Sequence, residues 1–453
     1  MTKIVLVGAG SIQFGAQLLG DIFQSEVLTD SEIVFNDINS IAVEKTLQLA
    51  QEYIDANGLN QRVHVEMDLA KALKGADFVV IMIEIGDRFK LWDLDWKIPQ
   101  QYGIQQVYGE NGGPGGLFHS LRIIPAILDI CQKVSDHAPE ATVFNFSNPM
   151  SRICTTVHRK FPHLKFIGMC HEIASLERHL PEILEQPSDN IFYRAGGLNH
   201  FSVLSEVDYT SSTSDVYQEI LEKAPPYFAT MPGYSEIYNA AKETGEDIET
   251  EGWMGIELSH LSEVREWSDR RLFALILKHF GVLPITTDSH FGEYISWAHD
   301  VSDHRGILDF YSYYRNYLGK GKATIKNEQR ERMVPIIEGI LTDNKYEEPA
   351  VNIPNKGYIK NLPEWIAVEV PAVVDGSGIA GIELNLPSGV LGLLTNQIGI
   401  HDLTAEAVLN KSKDLVIQAL LVDPVVTSAK KIPEMVDHII AEQKPWLDYL
   451  DSE

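Results

Sequence analysis

The sequence predicts an α/β fold built on a doubly wound parallel sheet. Over residues 1–175, short apolar runs alternate with longer amphipathic stretches, and a glycine-rich turn directly follows the first run. Near-continuous Val/Ile runs are typical of strands buried on both faces, as in a parallel sheet. Alternation with helical stretches favours helices on both faces, and the glycine turn makes this a Rossmann-type sheet.

Six apolar runs in the first part of the chain are interpreted as strands. They are KIVLVGAG, EIVFNDI, RVHVEMD, ADFVVIMIEIGD, ATVFNFSNP and LKFIGMCHE. Helical periodicity lies between most of them, for example from Ala42 to Ala56. We therefore expect a nucleotide-binding domain over residues 1–175.

Residues 176–453 are predicted to form an α+β substrate and oligomerisation domain. The pattern is mostly helical from about 212 to 345, and residues 364–382 read as two extended halves around an Asp375-Gly376 turn. Further helices are expected from Thr404 to Leu420 and after Pro433. No linker is visible, so the second part is expected to pack against the first.

Composition and charge exclude several classes of protein. The formal net charge is -27 and no Lys/Arg-rich run offsets it, which argues against a nucleic-acid partner. No apolar run approaches the roughly 18–20 residues that span a bilayer, and the start of the chain lacks signal-peptide features. The three cysteines form no disulfide pattern. We therefore expect a cytoplasmic protein that does not bind membranes.

A dinucleotide site is predicted where the first strand meets the first helix. Gly8, Gly10 and Ser11 occupy this turn, where glycines let the backbone approach a pyrophosphate and the helix N-terminus offers free N–H groups. The third glycine of the usual motif is replaced by Gln13. Asp37 ends the second strand, where a carboxylate binds ribose hydroxyls and repels a 2′-phosphate, so NAD is favoured over NADP. The alternative is a glycine turn beside a surface aspartate.

Polar side chains follow the last two predicted strands. Asn148 comes after the fifth strand and Cys170 after the sixth, and His200 follows in the glycine-rich segment GGLNHF. Ligands gather outside the carboxyl ends of parallel strands. A thiolate and an imidazole suit manganese, iron, cobalt, nickel or zinc. Spacing alone leaves open that Cys170 and His200 are unrelated.

The segments GAGS, IPQQYG, GENGGPGGLFHSLRIIP, SNP, CHE and GGLNHF occur in the order and spacing of one family. In these segments the chain resembles the family 4 glycoside hydrolases, which use NAD and a metal. The resemblance implies a fold like that of lactate and malate dehydrogenases, a homodimer or homotetramer, and manganese as the metal. It also implies the mechanism: NAD oxidises carbon 3 of the sugar, a base removes the carbon 2 proton, the aglycone leaves by elimination, water adds, and the hydride returns.

The resemblance also implies roles for individual residues. Cys170 and His200 match the family's metal ligands, Asn148 matches an asparagine that contacts sugar hydroxyls, and His171 is the residue that non-phosphorylated-sugar relatives carry after the cysteine.

The catalytic residues carry open alternatives. Glu110, in GENGGPGG, is expected to transfer a proton or bind substrate. Asp288 is the preferred base and Tyr294 its rival, while a loop or helix-cap role for Asp288 stays open. His290 and Glu293 could equally be structural.

The predicted sugar rests on two departures within the family. Glu172 makes the sequence CHE, which resembles the α-galacturonidase group, and Trp92 stands where phospho-sugar relatives carry a phosphate-binding arginine. We therefore expect α-galacturonide hydrolysis on small pectin-derived oligosaccharides. The candidate cations for the substrate carboxylate, with Arg88 first, are Arg88, Lys90, Arg270 and Arg271.

Other readings remain open. Within the family these are an α-glucuronidase, an α-glucosidase, an α-galactosidase or a 6-phospho-glucosidase. Outside it they are a 2-hydroxyacid dehydrogenase and an inactive NAD-binding regulatory protein.

Overall fold

The computed structural model describes residues 1–10, 12–210, 216–231, 234–244, 270–316, 324–325 and 331–451. Its first half contains six strands that form a parallel sheet in the order β3-β2-β1-β4-β5-β6. These strands are β1 Lys3–Val7, β2 Glu32–Asn36, β3 Arg62–Val65, β4 Phe78–Ile81, β5 Thr142–Asn145 and β6 Lys165–Gly168. This order confirms the doubly wound sheet.

Helices cover both faces of the parallel strands. They are α1 Ile12–Gln24, α2 Ser40–Asn57, α3 Leu69–Ala72, α4 Arg88–Gln101, α5 Gly113–His137, α6 Met150–Lys160 and α7 Ala174–Leu184. In β1, Ile4 and Leu6 join one buried apolar cluster, whereas Val5 and Val7 join another. Because successive side chains of a strand point to opposite faces, this division reflects two separate core layers.

Five further strands extend the same sheet. They are β7 Ile191–Leu198, β8 Phe201–Tyr209, β9 Tyr346–Pro354, β10 Ala367–Asp375 and β11 Gly378–Gly381. The sheet continues from β6 in the order β9-β10-β7-β8, with β11 paired to β10. The β10–β11 hairpin confirms the turn at Asp375-Gly376. The sequence pattern did not predict β7, β8 and β9 as strands. The GGLNHF segment lies in the β7–β8 hairpin.

The remaining helices pack around this extension. They are α8 Val216–Ala229, α9 Tyr234–Thr244, α10 Arg271–Phe280, α11 Asp288–Phe291, α12 Ala298–Val301, α13 His304–Asn316, α14 Met333–Thr342, α15 Ser388–Asn410, α16 Lys413–Val422, α17 Ile432–Glu442 and α18 Lys444–Leu447. The single helix expected over residues 404–420 was wrong. Lys411 is left-handed at φ 55°, and the Ser412 hydroxyl accepts from Leu415 N to start α16.

The predicted boundary at residue 175 falls at the start of α7 and stays a prediction. Through the single pair Gly168–Asn352, β6 and β9 are joined antiparallel. In the described part of the chain, no helix is both long and apolar enough to cross a membrane.

Candidate functional site

The glycine turn after β1 is built for close approach of another molecule's backbone or phosphate. Gly8 has φ 91°, and a Cβ there would lie 2.6 Å from the carbonyl oxygen of Met82. Only glycine fits this conformation and this contact. Gly8 N donates to Asn36 O at 2.9 Å, which fixes the turn against the end of β2. The turn leads into α1, whose N-terminus supplies a partial positive charge. Ser11 lies outside the described residues.

Asp37 lies against the glycine turn. Its Oδ2 accepts from Gly10 N at 2.7 Å and its Oδ1 from Asn39 N at 2.8 Å. The neighbouring Ile38 is fully exposed. An exposed apolar side chain next to a carboxylate can pack on the flat face of an adenine while the carboxylate faces the ribose. The sequence did not predict a role for Ile38. These residues fit a dinucleotide.

Cys170 and His200 converge although a separate hairpin carries the histidine. Cys170 lies two residues after Gly168, the last residue of β6, and His200 occupies the two-residue turn between β7 and β8. The Cys170 Sγ lies 3.7 Å from the His200 Nε2. His200 is left-handed at φ 65°, a strained conformation for a non-glycine residue, and such strain tends to lie at functional sites.

The turn that carries His200 is held from several sides. Asn199 donates from its side chain to Glu369 Oε2 at 2.7 Å and from its backbone N to the Ser151 hydroxyl at 3.0 Å. The Asn111 side-chain amide nitrogen lies 2.8 Å from His200 Nδ1. With Nδ1 engaged, Nε2 is the ring nitrogen left to face Cys170. An amide nitrogen can only donate, so a metal at Nε2 requires the Asn111 amide turned by 180°, with its unpartnered Oδ1 accepting from Nδ1–H.

A carboxylate that the sequence reading gave no site role completes a ligand set with this pair. Cys170, Glu172 and His200 each offer a ligand atom, and these atoms lie within 4.8 Å of one another. Glu172 Oε1 is 3.4 Å from His200 Nε2, and the Glu172 side chain is 8% exposed. In the described part of the chain, the buried Glu172 Oε2 has no hydrogen-bond partner. One sulfur, one nitrogen and one oxygen donor fit a divalent transition metal.

His290 lies between two carboxylates. Its Nδ1 is 3.0 Å from Glu172 Oε1 and its Nε2 is 3.5 Å from Glu110 Oε2. The ring stacks on His200 with 4.4 Å between centroids. Burial lowers the pKa of His290, but hydrogen bonds and charges from Glu110 and Glu172 outweigh it and raise the pKa to about 10. This side chain is therefore a protonated bridge between the two glutamates.

Burial also shifts the pKa values of His200 and Cys170, and in both it favours the uncharged form. Burial lowers the pKa of His200 to about 4, against the opposing charge of Glu172, so the imidazole is neutral, as a metal ligand must be. Burial and then Glu172 raise the pKa of the Cys170 thiol well above 9. A bound cation would reverse that shift, because a coordinating thiol loses its proton.

Glu110 joins the cluster from the loop before α5. It receives a hydrogen bond from Arg88 and contacts His290, and its side chain is 7% exposed. Burial raises the pKa of Glu110, but Arg88 and then His290 outweigh that effect and lower it below the usual value. Glu110 therefore carries a negative charge, which Arg88 already balances.

Glu293 fixes the loop that presents Glu110 and Asn111. Its Oε2 accepts from the backbone N–H groups of residues 110, 111 and 112, at 2.6, 2.6 and 2.9 Å. Burial raises the pKa of Glu293 to about 7, and His290 and the amides of Gly112 and Asn111 oppose this rise. The sequence reading left Glu293 open as structural, and these contacts give it that role.

The two residues expected to act as base lie in structural contacts. Asp288 is 1% exposed, and its Oδ2 and Oδ1 accept from Leu272 N at 2.7 Å and Phe273 N at 3.1 Å. It therefore caps the N-terminus of α10. Tyr294 is buried, stacks on Phe201 and donates its hydroxyl proton to Asn199 O at 3.3 Å. Burial raises its pKa well above 10.

The remaining predicted residues are distributed around the cluster. Asn148 lies between β5 and α6, and no described group hydrogen-bonds to its buried Oδ1. His171 is exposed beside Cys170. The cation candidates differ: Arg88 pairs with Glu110, Arg270 stacks over the Phe273 ring at 5.1 Å, and Lys90 and Arg271 are exposed. Trp92 is buried and donates to Tyr108 O at 3.0 Å.

Comparison with family models and known proteins covers nearly the whole chain. Residues 3–186 match the model of family 4 glycosyl hydrolase, and residues 195–426 match that of the family 4 glycosyl hydrolase C-terminal domain. An alpha-glucosidase of Erwinia rhapontici is 60% identical over 450 residues, covering 99% of both chains. An alpha-galacturonidase of Bacillus subtilis is 27% identical, covering 94% of this chain and 93% of that protein.

A solved structure shares the fold over the same extent. The 6-phospho-beta-glucosidase of Thermotoga maritima, solved with manganese, NAD+ and glucose-6-phosphate, superposes with a TM-score of 0.74 at 19% identity. The match covers 98% of this chain and 99% of that one.

Proposed function

Because the chain belongs to family 4 of the glycosyl hydrolases, we propose that it hydrolyses α-glucosides with bound NAD and a divalent cation. The observation that carries the choice of sugar is the 60% identity, over 450 residues, to a protein named alpha-glucosidase. The relative named alpha-galacturonidase reaches 27%. The expected galacturonide substrate is therefore less well supported than the α-glucoside alternative.

Of the four candidate cations, which all lie in the described part of the chain, Arg88 and Arg270 are already engaged while Lys90 and Arg271 are exposed, and this supports a neutral sugar. A uronate carboxylate needs a cation that is free to bind it. The charge of Arg88 is already balanced by Glu110, and the Arg270 guanidinium packs over aromatic rings. A sugar phosphate needs at least as strong a cation, and the expected position holds the buried Trp92.

Two groups of residues would hold the cofactors. The glycine turn with Asp37 and Ile38 would hold NAD, and Cys170 with His200 would hold the metal. When bound, NAD supplies a hydride acceptor for a sugar carbon and the cation a Lewis acid for the neighbouring oxygens. The relative from Thermotoga maritima carries NAD+ and manganese, which supports this pairing. Manganese as the native metal and a homodimer or homotetramer stay predictions.

This chain's own residues would orient the sugar and move its proton. We assign substrate hydroxyls to Asn148 Oδ1, which is buried with no partner among the described residues. Proton transfer is assigned to Glu110, the predicted catalytic residue that contacts the histidine cluster. The observation that supports this role is its position in the cluster, where Glu110 Oε2 lies 3.5 Å from His290 Nε2.

The test is a panel of nitrophenyl sugars with NAD, Mn²⁺ and a thiol reductant. We expect turnover of the α-glucoside, much weaker turnover of the α-galacturonide and none of the 6-phosphoglucosides. Absorbance at 340 nm should show no net NADH formation, whereas a 2-hydroxyacid dehydrogenase would accumulate it. Preference for the galacturonide would overturn the sugar assignment.

A matched variant tests the cofactor assignment. Cys170→Ser keeps the size of the side chain but removes the thiolate, and we expect α-glucosidase activity to fall at least about a hundredfold. Full activity of this variant, or of protein stripped of NAD and treated with a chelator, would contradict the redox mechanism.

A further inference from the structure

We infer that Glu172 is a third protein ligand of the catalytic cation, so that the metal is held by sulfur, nitrogen and carboxylate oxygen together. This inference rests on the metal-dependent function proposed above and goes beyond the Cys170–His200 pair. It assigns a ligand role to the acidic residue of the CHE sequence.

The backbone of the turn after β6 positions Glu172. Cys170 has an extended backbone at φ -137° and ψ 139°, and residues 171–173 form one 3₁₀ turn. This turn places the side chain of Glu172 beside that of Cys170, while His171 remains exposed. The ligand atoms of Cys170, Glu172 and His200 then lie within 4.8 Å of one another, a span that one ion can bridge with small side-chain rotations.

The two carboxylate oxygens of Glu172 differ in their contacts. Its Oε1 is engaged by Thr286 and His290, whereas the buried Oε2 has no hydrogen-bond partner among the described residues. The Glu172 side chain is 8% exposed. An unpaired buried carboxylate oxygen is costly, and a cation next to it removes that cost.

A competing set of ligand atoms lies next to this one. Glu110, His200 and His290 also lie within bonding range of one ion. Both ring nitrogens of His290 are already taken by carboxylates, and Glu110 receives a hydrogen bond from Arg88. A metal there would have to break these contacts, whereas Glu172 Oε2 has no hydrogen bond to lose within the described part of the chain.

The set also balances charge. A thiolate, a carboxylate and a neutral imidazole together cancel the charge of a divalent cation inside a buried site. The carboxylate adds a hard oxygen donor to the softer sulfur and nitrogen, and manganese prefers such a donor. In a six-coordinate site, three positions remain for sugar oxygens and water.

The test measures metal binding directly. Mn²⁺ is titrated into metal-free, NAD-loaded protein, and free Mn²⁺ is followed by electron paramagnetic resonance. We expect Glu172→Gln to weaken Mn²⁺ affinity at least about tenfold, because loss of a direct ligand should cost no less than loss of an outer-shell partner. Glu172→Asp should restore part of it. Glu110→Gln is the matched control, which removes the other carboxylate that contacts His290 and should leave affinity within about threefold.

Cobalt substitution gives a second readout. We expect Glu172→Gln to keep the thiolate-to-cobalt absorption of Cys170 while the ligand-field bands change. Unchanged Mn²⁺ affinity and unchanged ligand-field bands in Glu172→Gln would overturn the inference and leave the proposed function standing. Absence of Mn²⁺ binding by the unaltered protein would overturn the inference and the metal part of the proposed function together. If circular dichroism shows that Glu172→Gln does not fold, the test uses Glu172→Asp instead. Ligand-field bands and Mn²⁺ affinity equal to those of the unaltered protein, despite the shorter side chain, would refute coordination by residue 172.

Discussion

Replacing Asp288 with asparagine separates the two roles open to this residue. The sequence favours Asp288 as the catalytic base, whereas its two oxygens accept from Leu272 N at 2.7 Å and Phe273 N at 3.1 Å. Asparagine keeps one acceptor oxygen and turns an NH₂ group towards the other amide. We expect the variant to be less stable but catalytically competent.

The magnitude follows from the lost contact. A hydrogen bond to a charged group contributes about 1.5–3 kcal/mol, and a buried amide left unpaired costs a similar amount. We therefore expect a loss of about 2–3 kcal/mol. Unfolding entropy of roughly 2.1 cal/mol/K per residue, over 453 residues, converts this into a fall in Tm of about 2–3 °C.

Two measurements on the same preparation decide between the roles. Thermal unfolding followed by circular dichroism gives the change in Tm, and α-glucoside turnover well below Tm gives kcat. Loss of a general base lowers kcat about 10²–10⁴-fold, whereas loss of a helix cap should change it by less than about threefold. Glu110→Gln serves as the comparison that lowers kcat. A collapse of kcat in Asp288→Asn at unchanged Tm would refute the cap assignment.

Three further predictions test the supports of the site. Asn111→Ala removes the partner of His200 Nδ1, and we expect Mn²⁺ affinity to fall about 10–100-fold in the same titration, with unchanged affinity arguing against this support. Gly8→Ala should weaken NAD binding, measured by calorimetry, at least about tenfold, because the added Cβ lies 2.6 Å from a carbonyl oxygen. The control Gly58→Ala is also at positive φ but has nothing within 4 Å of the added Cβ, and it should leave NAD binding unchanged. Burial, reinforced by nearby arginines, lowers the pKa of His179 to about 3. Below pH 6.5 the unfolded chain binds a proton at this histidine that the folded protein does not, so the stability present above pH 6.5 is lost as the pH falls towards 3. Between pH 6.5 and 5 we expect the free energy of unfolding to fall by about 2 kcal/mol, which is measured as a fall in Tm. This fall should be smaller in His179→Phe, and an equal fall in the variant would refute the assignment.

Much of the nucleotide-binding half could be predicted because its signals are local. Two-sided burial makes the central parallel strands β1, β2, β4 and β5 largely continuous apolar runs, and helical stretches follow in chain order. The hairpin of β7 and β8 was missed because its strands mix glycine, polar and apolar residues, and its partner β10 lies far away in the sequence. The split at Lys411 was missed because a single left-handed residue leaves little trace in an apolar pattern.

The candidate site shows the same division. Cys170 and Asn148 stand at strand ends, where the parallel-sheet rule directs attention. Glu172 and Asn111 could have been noticed as polar neighbours of motif residues, but their partners could not. The contacts of His290 with two glutamates join segments that are separated by more than a hundred residues.

The sequence by itself determined the parallel sheet, the glycine turn with Asp37, and the presence of a thiol and an imidazole in family-specific segments. Local periodicity and steric requirements decide those features within a few neighbouring residues. Only the tertiary structure decided that Sγ of Cys170 and Nε2 of His200 lie 3.7 Å apart, that Glu172 stands beside them, and that the carboxylate of Asp288 caps a helix. These outcomes depend on where distant strands pair and which buried groups remain to satisfy one another, and no local pattern records that.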